Sequence, residues 1–235
     1  MKLKVCGMKY NMNITEVASL QPDYMGFIFY EKSTRFLQND IPKISKPLKK
    51  TGVFVDASLS YILEQIQKHN LQAVQLHGNE TPKFCEKLNL ICHSALDAES
   101  RTKDDENLKP RLPDGQEVQV EVIKVFSIKD TFNFSVLEPY ESVCDYYLFD
   151  TKGKLPGGNG YTFNWSVLEN YPSTKPYFLS GGIGLDEIGK IKKFQKSIAS
   201  KYCFAIDVNS SFEIEPGLKN IEKIKEFKEN VITRS

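Results

Sequence analysis

Side chains that can transfer protons or bind anions follow a series of short apolar runs along the chain. Cys6 comes directly after Leu3–Val5, and Asp150 directly after Tyr146–Phe149. A thiol or a carboxyl group can act as a general acid or base, and the planar fork of an arginine suits an anion. The residues at such positions are, in chain order, Cys6, Arg35 (in Ser33-Thr34-Arg35, after Phe29), Asp56, His77, Ser127, Asp150, Gly181 with Gly182, and Asp207. None is diagnostic alone, but they would form one site if all the runs ended at the same edge.

The apolar runs have the length and composition of buried β-strands. Most are rich in Val, Ile, Phe and Tyr and are bounded by Gly, Asp or Ser. There are eight of them: Leu3–Val5, Tyr24–Phe29, Gly52–Val55, Ala73–Leu76, Val120–Val125, Tyr146–Phe149, Tyr177–Leu179 and Phe204–Val208.

Amphipathic segments between these runs predict helices. Ser58 is a good N-cap for Ser60–Lys68, Thr81-Pro82 opens a helix that continues through Leu88, a third helix runs from Asp186 onwards, and the last is Asn220–Val231. Regular β-α alternation predicts a parallel sheet. An open doubly wound sheet has the same alternation, but no dinucleotide fingerprint follows the first strand, which favours a barrel. The predicted fold is therefore an α/β single-domain (β/α)8 TIM barrel over residues 1–235, with the strand ends at one mouth.

Composition excludes several classes of function. Lys plus Arg number 31 against 30 Asp plus Glu, a balance that counts against a general nucleic-acid surface. No apolar run is long enough to cross a bilayer, and the N-terminus has no signal-peptide core. The five scattered cysteines and three histidines form no CxxC or metal-ligand pattern. We expect a cytoplasmic protein with reduced thiols, no metal and no membrane partner.

One segment interrupts the alternation. Ser94–Glu117 is polar and contains Pro110, Pro113 and Gly115. Its composition predicts a solvent-exposed excursion before the fifth strand.

Eight motifs together resemble the phosphoribosylanthranilate isomerase family. They are Lys4-Val5-Cys6-Gly7-Met8, Gly26-Phe27-Ile28-Phe29 with Lys32-Ser33-Thr34-Arg35, Gly52-Val53-Phe54-Val55, Val74-Gln75-Leu76-His77-Gly78, Phe149-Asp150-Thr151, Gly157 through Trp165, Ser180-Gly181-Gly182, and Ile206-Asp207-Val208-Asn209-Ser210. They occur in family order and cover nearly every predicted strand, whereas Ser94–Glu117 lies outside the family pattern.

The resemblance implies an Amadori rearrangement in tryptophan biosynthesis, in which the aminoaldose N-(5-phosphoribosyl)anthranilate becomes an aminoketose. A general acid protonates the ring oxygen, so that the sugar opens to a Schiff base, and a general base then removes the C2 proton. The iminium group acidifies that C–H bond, so the resemblance implies no metal or organic cofactor. Cys6 would be the general base and Asp150 the general acid. A free thiol has a pKa of roughly 8.5, so the site must favour ionisation of Cys6.

The resemblance also assigns residues to substrate binding. Arg35 would meet the anthranilate carboxylate, and Asp207 would position the amine or the hydroxyls of the substrate. His77 would line the mouth, with a structural and a catalytic role both open. Phosphate would bind at Gly181, Gly182, Asn209 and Ser210, where glycine N–H groups can approach an anion and a short extra helix can begin. Gly157-Gly158-Asn159-Gly160 would cover the mouth.

Departures from the family pattern affect loops and not the two proton-transfer residues. They are Thr34, Tyr161, Asn164, Asn209 and Ser211. Among rival functions, indoleglycerol-phosphate synthase would require a catalytic lysine and glutamate at strand ends, and a sugar isomerase of histidine biosynthesis would have an aspartate at Cys6. A non-catalytic phosphate-binding barrel would keep only the phosphate loops. The expected partner is a small-molecule substrate, and the expected assembly is a monomer or a homodimer.

Overall fold

Eight parallel strands close into a barrel in which each strand pairs with the next and the eighth pairs with the first. The computed structural model describes residues 1–44, 47–93, 119–151 and 162–232. The strands are β1 (Lys2–Val5), β2 (Tyr24–Ile28), β3 (Lys49–Phe54), β4 (Ala73–Leu76), β5 (Glu121–Ile128), β6 (Tyr146–Thr151), β7 (Tyr177–Leu179) and β8 (Cys203–Val208). Closure confirms the predicted barrel, because an open doubly wound sheet would leave two strand edges unpaired.

Several strands extend beyond the apolar runs that predict them, and β3 and β5 extend the furthest. β3 begins at Lys49 rather than at Gly52, and β5 continues to Ile128 rather than ending at Val125. Lys49 fits in a strand because its ammonium group bonds to Glu121 of β5. The end of β5 pairs with β6 through Ser127 opposite Asp150. Charged and polar residues at strand ends therefore conceal the true strand length from an apolar pattern.

The helical segments are α1 (Asn11–Ser19), α2 (Leu59–His69), α3 (Pro82–His93), α4 (Ile188–Phe194) and α5 (Ile221–Val231). Ser58 caps α2, as predicted, by accepting a hydrogen bond from the Tyr61 N–H at 3.3 Å. Asn220 caps α5 in the same way by accepting from the Lys223 N–H at 3.1 Å, so it precedes the last helix rather than beginning it. Across the described ranges, every helix is too short or too polar to cross a membrane.

Short 3-10 helices replace α-helices after β5 and β6. They are Phe134–Tyr140 and Trp165–Asn170. Pro139 lies inside the first of these helices. Proline has no backbone N–H, so it cannot donate the hydrogen bond that a longer α-helix would need at this position. Buried Leu137, Trp165 and Leu168 still cover the barrel wall. The predicted excursion Ser94–Glu117 and the predicted cover Gly157-Gly158-Asn159-Gly160 lie outside the described residues.

Apolar side chains fill the part of the barrel interior that lies below the carboxyl ends of the strands. Alternation along β7 and β8 places Phe178 on the same side as Ser180, and Ala205 on the same side as Asp207. The interior cluster comprises Tyr24, Ala73, Ile123, Val125, Leu148, Phe178 and Ala205. The barrel is thus a packed core, and its open space lies above this cluster, at the carboxyl ends of the strands.

A small antiparallel hairpin follows β8 and stands beside the mouth. The chain passes through a 3-10 turn at Ser210–Phe212 into β9 (Glu213–Glu215) and β10 (Leu218–Lys219). The short helix after β8 was predicted, whereas the hairpin was not. Asn13 of α1 fastens the hairpin, because its Oδ1 accepts the Lys219 N–H at 2.7 Å and its Nδ2 donates to the Lys219 carbonyl at 2.9 Å.

Candidate active site

A cavity of about 430 Å³ opens at the carboxyl ends of the strands. All nine residues that the sequence assigned to catalysis or binding line it: Cys6, Arg35, His77, Asp150, Gly181, Gly182, Asp207, Asn209 and Ser210. Two other strand-end residues, Asp56 and Ser127, do not contribute to the lining. Asp56 instead holds the next loop, because its Oδ1 accepts the Asn79 N–H at 2.6 Å. The closed barrel therefore brings together residues from opposite ends of the chain.

Cys6 sits just beyond the end of β1, almost fully buried in the cavity wall. Gly26 on the neighbouring strand makes room for it, since a Cβ added at Gly26 would lie 2.6 Å from the Cys6 Sγ. Burial raises the pKa of the Cys6 thiol above its ordinary value, whereas the nearby ammonium groups of Lys4 and Lys219 act to lower it. The structure thus identifies what the sequence left open, namely which cations favour the thiolate.

Lys4 is a functional residue that the sequence analysis quoted in a motif without assigning it a role. It lies two residues before Cys6 on β1, so both side chains face the barrel interior. Its fully buried ammonium group is 2.7 Å from the Asp207 Oδ1, and its charge also interacts with the Cys6 side chain. Burial works against the charge, but Asp207 and Cys6 outweigh burial and raise the pKa of Lys4 above its ordinary value. The sequence did contain a signal for this role. Period-two alternation places Lys4 inside the barrel with Cys6, and a lysine buried there requires a charged partner.

Asp207 is held from two sides inside the protein. Its Oδ1 accepts from Lys4, and its Oδ2 accepts the Ser180 hydroxyl at 3.0 Å. Strand pairing explains the first contact, since Lys4 and Asp207 are register partners on β1 and β8. Asp207 lines the cavity, and its carboxylate is the counterion of the lysine beneath Cys6.

Asp150 ends its apolar run on β6 and faces a histidine from β4. The His77 Nε2 lies 3.4 Å from the Asp150 Oδ2, and the His77 Nδ1 lies 3.2 Å from the Gln75 Nε2. With the Gln75 amide nitrogen assigned toward the ring, Gln75 donates to Nδ1, and the histidine proton sits on Nε2 toward Asp150. Gln75 is almost fully buried, and its Oε1 has no hydrogen-bond partner among the described residues. His77 thus couples a buried amide to the predicted general acid.

Arg35 is paired with a carboxylate that sequence analysis did not single out. Its Nε donates to the Glu213 Oε1 at 2.8 Å, and its Nη2 donates to the Glu213 Oε2 at 2.7 Å. Lys219 bonds the same Oε1 at 2.7 Å. Burial would raise the pKa of Glu213, but Arg35 and Lys219 outweigh burial and hold it below its ordinary value. Glu213 and Lys219 lie on the unpredicted hairpin, so their placement had no local sequence signal.

The glycine pair after β7 requires a backbone that other residues rarely adopt. Gly181 has φ +93°, and a Cβ added there would lie 2.1 Å from the Thr151 Oγ1. Gly182 also has positive φ, at +65°. Gly184, further along this loop, lies against Ser211 in the loop after β8, since an added Cβ would be 3.0 Å from the Ser211 Cβ. The two loops predicted to bind phosphate therefore share one side of the cavity.

The departures from the family pattern take part in local contacts. The Thr34 carbonyl accepts from Lys9 Nζ at 3.2 Å, and the Asn164 Oδ1 caps the Trp165–Asn170 helix through the Ser166 N–H at 3.1 Å. The Asn209 Oδ1 accepts from Lys219 Nζ at 2.7 Å. Tyr161 lies outside the described residues.

The described ranges contain no group of three or more His, Cys, Asp or Glu side chains that could hold a metal ion.

Comparison with known proteins assigns the chain to a family. A sequence model described as N-(5'phosphoribosyl)anthranilate (PRA) isomerase matches residues 3–109 and 104–230, and the two matches meet inside the polar segment Ser94–Glu117. The chain is 36% identical to the N-(5'-phosphoribosyl)anthranilate isomerase of Parabacteroides distasonis, over 99% of this chain and 94% of that protein. It is 34% identical to the isomerase of Phocaeicola vulgatus, over 97% and 96% respectively. The crystal structure of the phosphoribosyl anthranilate isomerase of Thermotoga maritima matches with a TM-score of 0.70 and 26% identity, over 98% of each chain.

These similarities extend over almost the whole chain and agree with the closed barrel. They decide against the two rival barrel enzymes considered from the sequence. The chain belongs to the N-(5'-phosphoribosyl)anthranilate isomerase family.

Proposed function

We propose that the cavity carries out the family's isomerisation by proton transfer at Cys6 and Asp150. The enzyme converts N-(5-phospho-β-D-ribosyl)anthranilate to 1-(2-carboxyphenylamino)-1-deoxy-D-ribulose 5-phosphate, a step of tryptophan biosynthesis. The observation that carries the proposed mechanism is that a thiol from β1 and a carboxyl group from β6 line one cavity, separated around the barrel by β7 and β8. Two groups so placed can address the ring oxygen and C2 of one sugar from different sides.

Asp150 acts first, as a general acid. It donates a proton to the ring oxygen, the bond from C1 to that oxygen breaks, and the nitrogen lone pair forms the C1=N bond of the Schiff base. The His77 Nε2 faces the Asp150 carboxyl group. With its proton on Nε2, His77 stabilises the Asp150 carboxylate that remains after the transfer. This favours a positioning and electrostatic role for His77.

Cys6 acts second, as a general base. Its thiolate takes the proton from C2, and the C–H electron pair moves to form the enolamine, with the iminium nitrogen as the electron sink. The enolamine then gains a proton at C1 and loses one from the C2 hydroxyl, which gives the ketone. Lys4 supports this step, because its ammonium group at the thiol stabilises the thiolate relative to the thiol.

Binding at the two ends of the substrate fixes its orientation. Arg35 meets the anthranilate carboxylate, while Gly181, Gly182, Asn209 and Ser210 receive the phosphate in the loops after β7 and β8. Asp207, held by Lys4 and Ser180, orients the amine or the hydroxyls between them. All these contacts use side chains and backbone of this chain, whose assembly stays a prediction: a monomer or a homodimer, which sedimentation velocity distinguishes.

The decisive experiment follows turnover of freshly generated phosphoribosylanthranilate by the loss of anthranilate fluorescence. Wild type is compared with Cys6→Ala and Asp150→Asn, after thermal unfolding has verified that each variant is folded. We expect turnover by wild type and losses of at least about 100-fold in each variant, the lower end of general acid–base contributions. Turnover surviving in both variants would overturn the mechanism. Phosphate binding without turnover by wild type would favour the non-catalytic barrel instead.

A further inference from the structure

Arg35 reaches the cavity with part of its guanidinium already engaged. The two contacts to Glu213 use the Nε and Nη2 atoms, which lie along one edge of the planar group. The Nη1 side makes no hydrogen bond to a described residue. A planar guanidinium can bind one carboxylate along each of two edges, so the pairing leaves the second edge for another carboxylate.

Glu213 is itself held rigidly. Its Oε1 receives Arg35 Nε, Lys219 Nζ at 2.7 Å and the Gly217 N–H at 3.0 Å, and its Oε2 receives Arg35 Nη2. Gly217 and Lys219 belong to the same hairpin as Glu213, so the hairpin fixes the plane of the carboxylate. That plane in turn fixes the plane of the Arg35 guanidinium.

The charges of this cluster suit an anionic ligand. Arg35 and Lys219 carry positive charges and Glu213 carries one negative charge, so the protonated cluster retains a net charge of +1. Lys219 also bonds the Asn209 Oδ1 at 2.7 Å, which connects the cluster to the loop proposed to bind phosphate. A single buried group of residues thus connects the two proposed anion sites.

From this geometry we propose that Glu213 is a positioning residue, which orients the free edge of Arg35 toward the carboxylate of the substrate. Its action is indirect, since Glu213 touches Arg35 and not the substrate. The inference rests on the proposed role of Arg35 and extends it to the hairpin after β8. An arginine without this partner would sample several rotamers, and the substrate ring would be held less accurately over Cys6 and Asp150.

The test is a double-mutant cycle on kcat/KM with Glu213→Gln, Arg35→Met and the two combined. We expect Glu213→Gln to lower kcat/KM at least about tenfold, since a misplacement of about 1 Å can cost on the order of 100-fold. In the Arg35→Met background the same substitution should change kcat/KM by less than about twofold, because its target is gone. The inhibition constant of inorganic phosphate should not rise in Glu213→Gln, because the substitution removes a negative charge and leaves the phosphate loops in place.

Matched variants separate positioning from folding. Glu215 lies on the same hairpin, is exposed and contacts Tyr10. The control substitution Glu215→Gln should therefore leave kcat/KM unchanged. If Glu213→Gln fails to fold, Glu213→Asp takes its place in the cycle, since it keeps the charge and moves it away from Arg35 by one methylene group.

Each outcome has a distinct meaning. An Arg35→Met variant with wild-type kcat/KM would refute the proposed carboxylate contact and the inference with it. A loss in Arg35→Met with none in Glu213→Gln would overturn the inference alone. Equal losses from Glu213→Gln in both backgrounds, or a matching rise in the phosphate inhibition constant, would assign Glu213 a merely structural role.

Discussion

The ammonium group of Lys4 lies 2.7 Å from the carboxylate of Asp207, and both groups are buried in the barrel below Cys6. A buried ion pair of this kind gives little net stability compared with apolar residues, although removal of one partner is strongly destabilising. Its position suggests another benefit. The pair keeps a cation next to a thiol whose pKa burial alone would raise.

Lys4→Met tests this relationship. The substitution removes the cation that does most to lower the pKa of Cys6. We therefore expect that pKa to rise further and kcat to fall at least about tenfold, the effect of one pKa unit on a base that is mostly protonated. The measurement is the pH dependence of Cys6 alkylation by iodoacetamide, with mass spectrometry to distinguish it from the other four cysteines.

The double variant Lys4→Met/Asp207→Asn provides the control. Lys4→Met alone leaves a buried carboxylate unpaired, which should lower the free energy of unfolding by about 3–5 kcal/mol. The second substitution removes that charge and should restore part of the stability. It also removes a carboxylate that raises the pKa of Cys6, so alkylation should recover in part but stay below that of wild type, since Lys4 has the larger effect. An alkylation profile that Lys4→Met leaves unchanged would show that Lys4 does not activate the thiol.

Gly26→Ala should disturb the thiol through contact alone. The added Cβ would lie 2.6 Å from the Cys6 Sγ and 3.1 Å from the Cys6 Cα, so either the side chain or the strand must move. Overpacking of this kind costs about 1–3 kcal/mol of stability. We expect kcat to fall more than KM rises, because the displaced group is the base and not a binding contact.

Stability and kinetics together check the contact at Gly26. Chemical denaturation should show a smaller cost of Gly26→Ala in a Cys6→Ala background, where the sulfur is absent. Gly189→Ala in α4 is the matched control, since an added Cβ there meets nothing within 4 Å. The contact is of no consequence if Gly26→Ala retains wild-type kcat.

Gly181→Ala should weaken the phosphate end of the site. A backbone with φ +93° strains any side chain, and the new Cβ would lie 2.1 Å from the Thr151 Oγ1. We expect a loss of about 1–3 kcal/mol in stability and a weaker inhibition by inorganic phosphate. Competitive inhibition assays measure the second effect directly, and an unchanged inhibition constant would argue against phosphate binding at this loop.

Titration of Lys219 should make substrate binding depend on pH. Burial is the main cause that lowers the pKa of Lys219 to about 8, and the charge of Arg35 acts in the same direction, whereas Glu213 and Cys6 act to raise that pKa. Lys219 is therefore charged below pH 8 and neutral above it, and its deprotonation takes the Arg35–Glu213–Lys219 cluster from +1 to zero. We expect KM to rise as the pH increases through about 8.

Lys219→Met identifies the titrating group. In this variant the cluster is neutral at every pH in the range, so KM should be raised at pH 7 and nearly constant from pH 7 to 9. A KM step near pH 8 that persists in Lys219→Met must come from another group.

The sequence by itself determined the parts of this protein that depend on local pattern. The order of the strands and of helices α2 to α5 followed from apolar periodicity, and the cap at Ser58 followed from residue type, whereas α1 and the cap at Asn220 were not predicted. Cys6, Asp150 and Asp207 could be placed at strand ends because neighbours in sequence decide where a strand stops. The motif order was specific enough to indicate the family before any contact was known.

Tertiary structure alone decided which charges meet. Lys4 contacts Asp207 across 203 positions of sequence, and Arg35 contacts Glu213 across 178. Closure of the barrel brings β8 beside β1 and the hairpin against α1, and no local pattern encodes those distances. Burial then gives these pairs their effect, because a charge removed from water must find a partner or change its pKa.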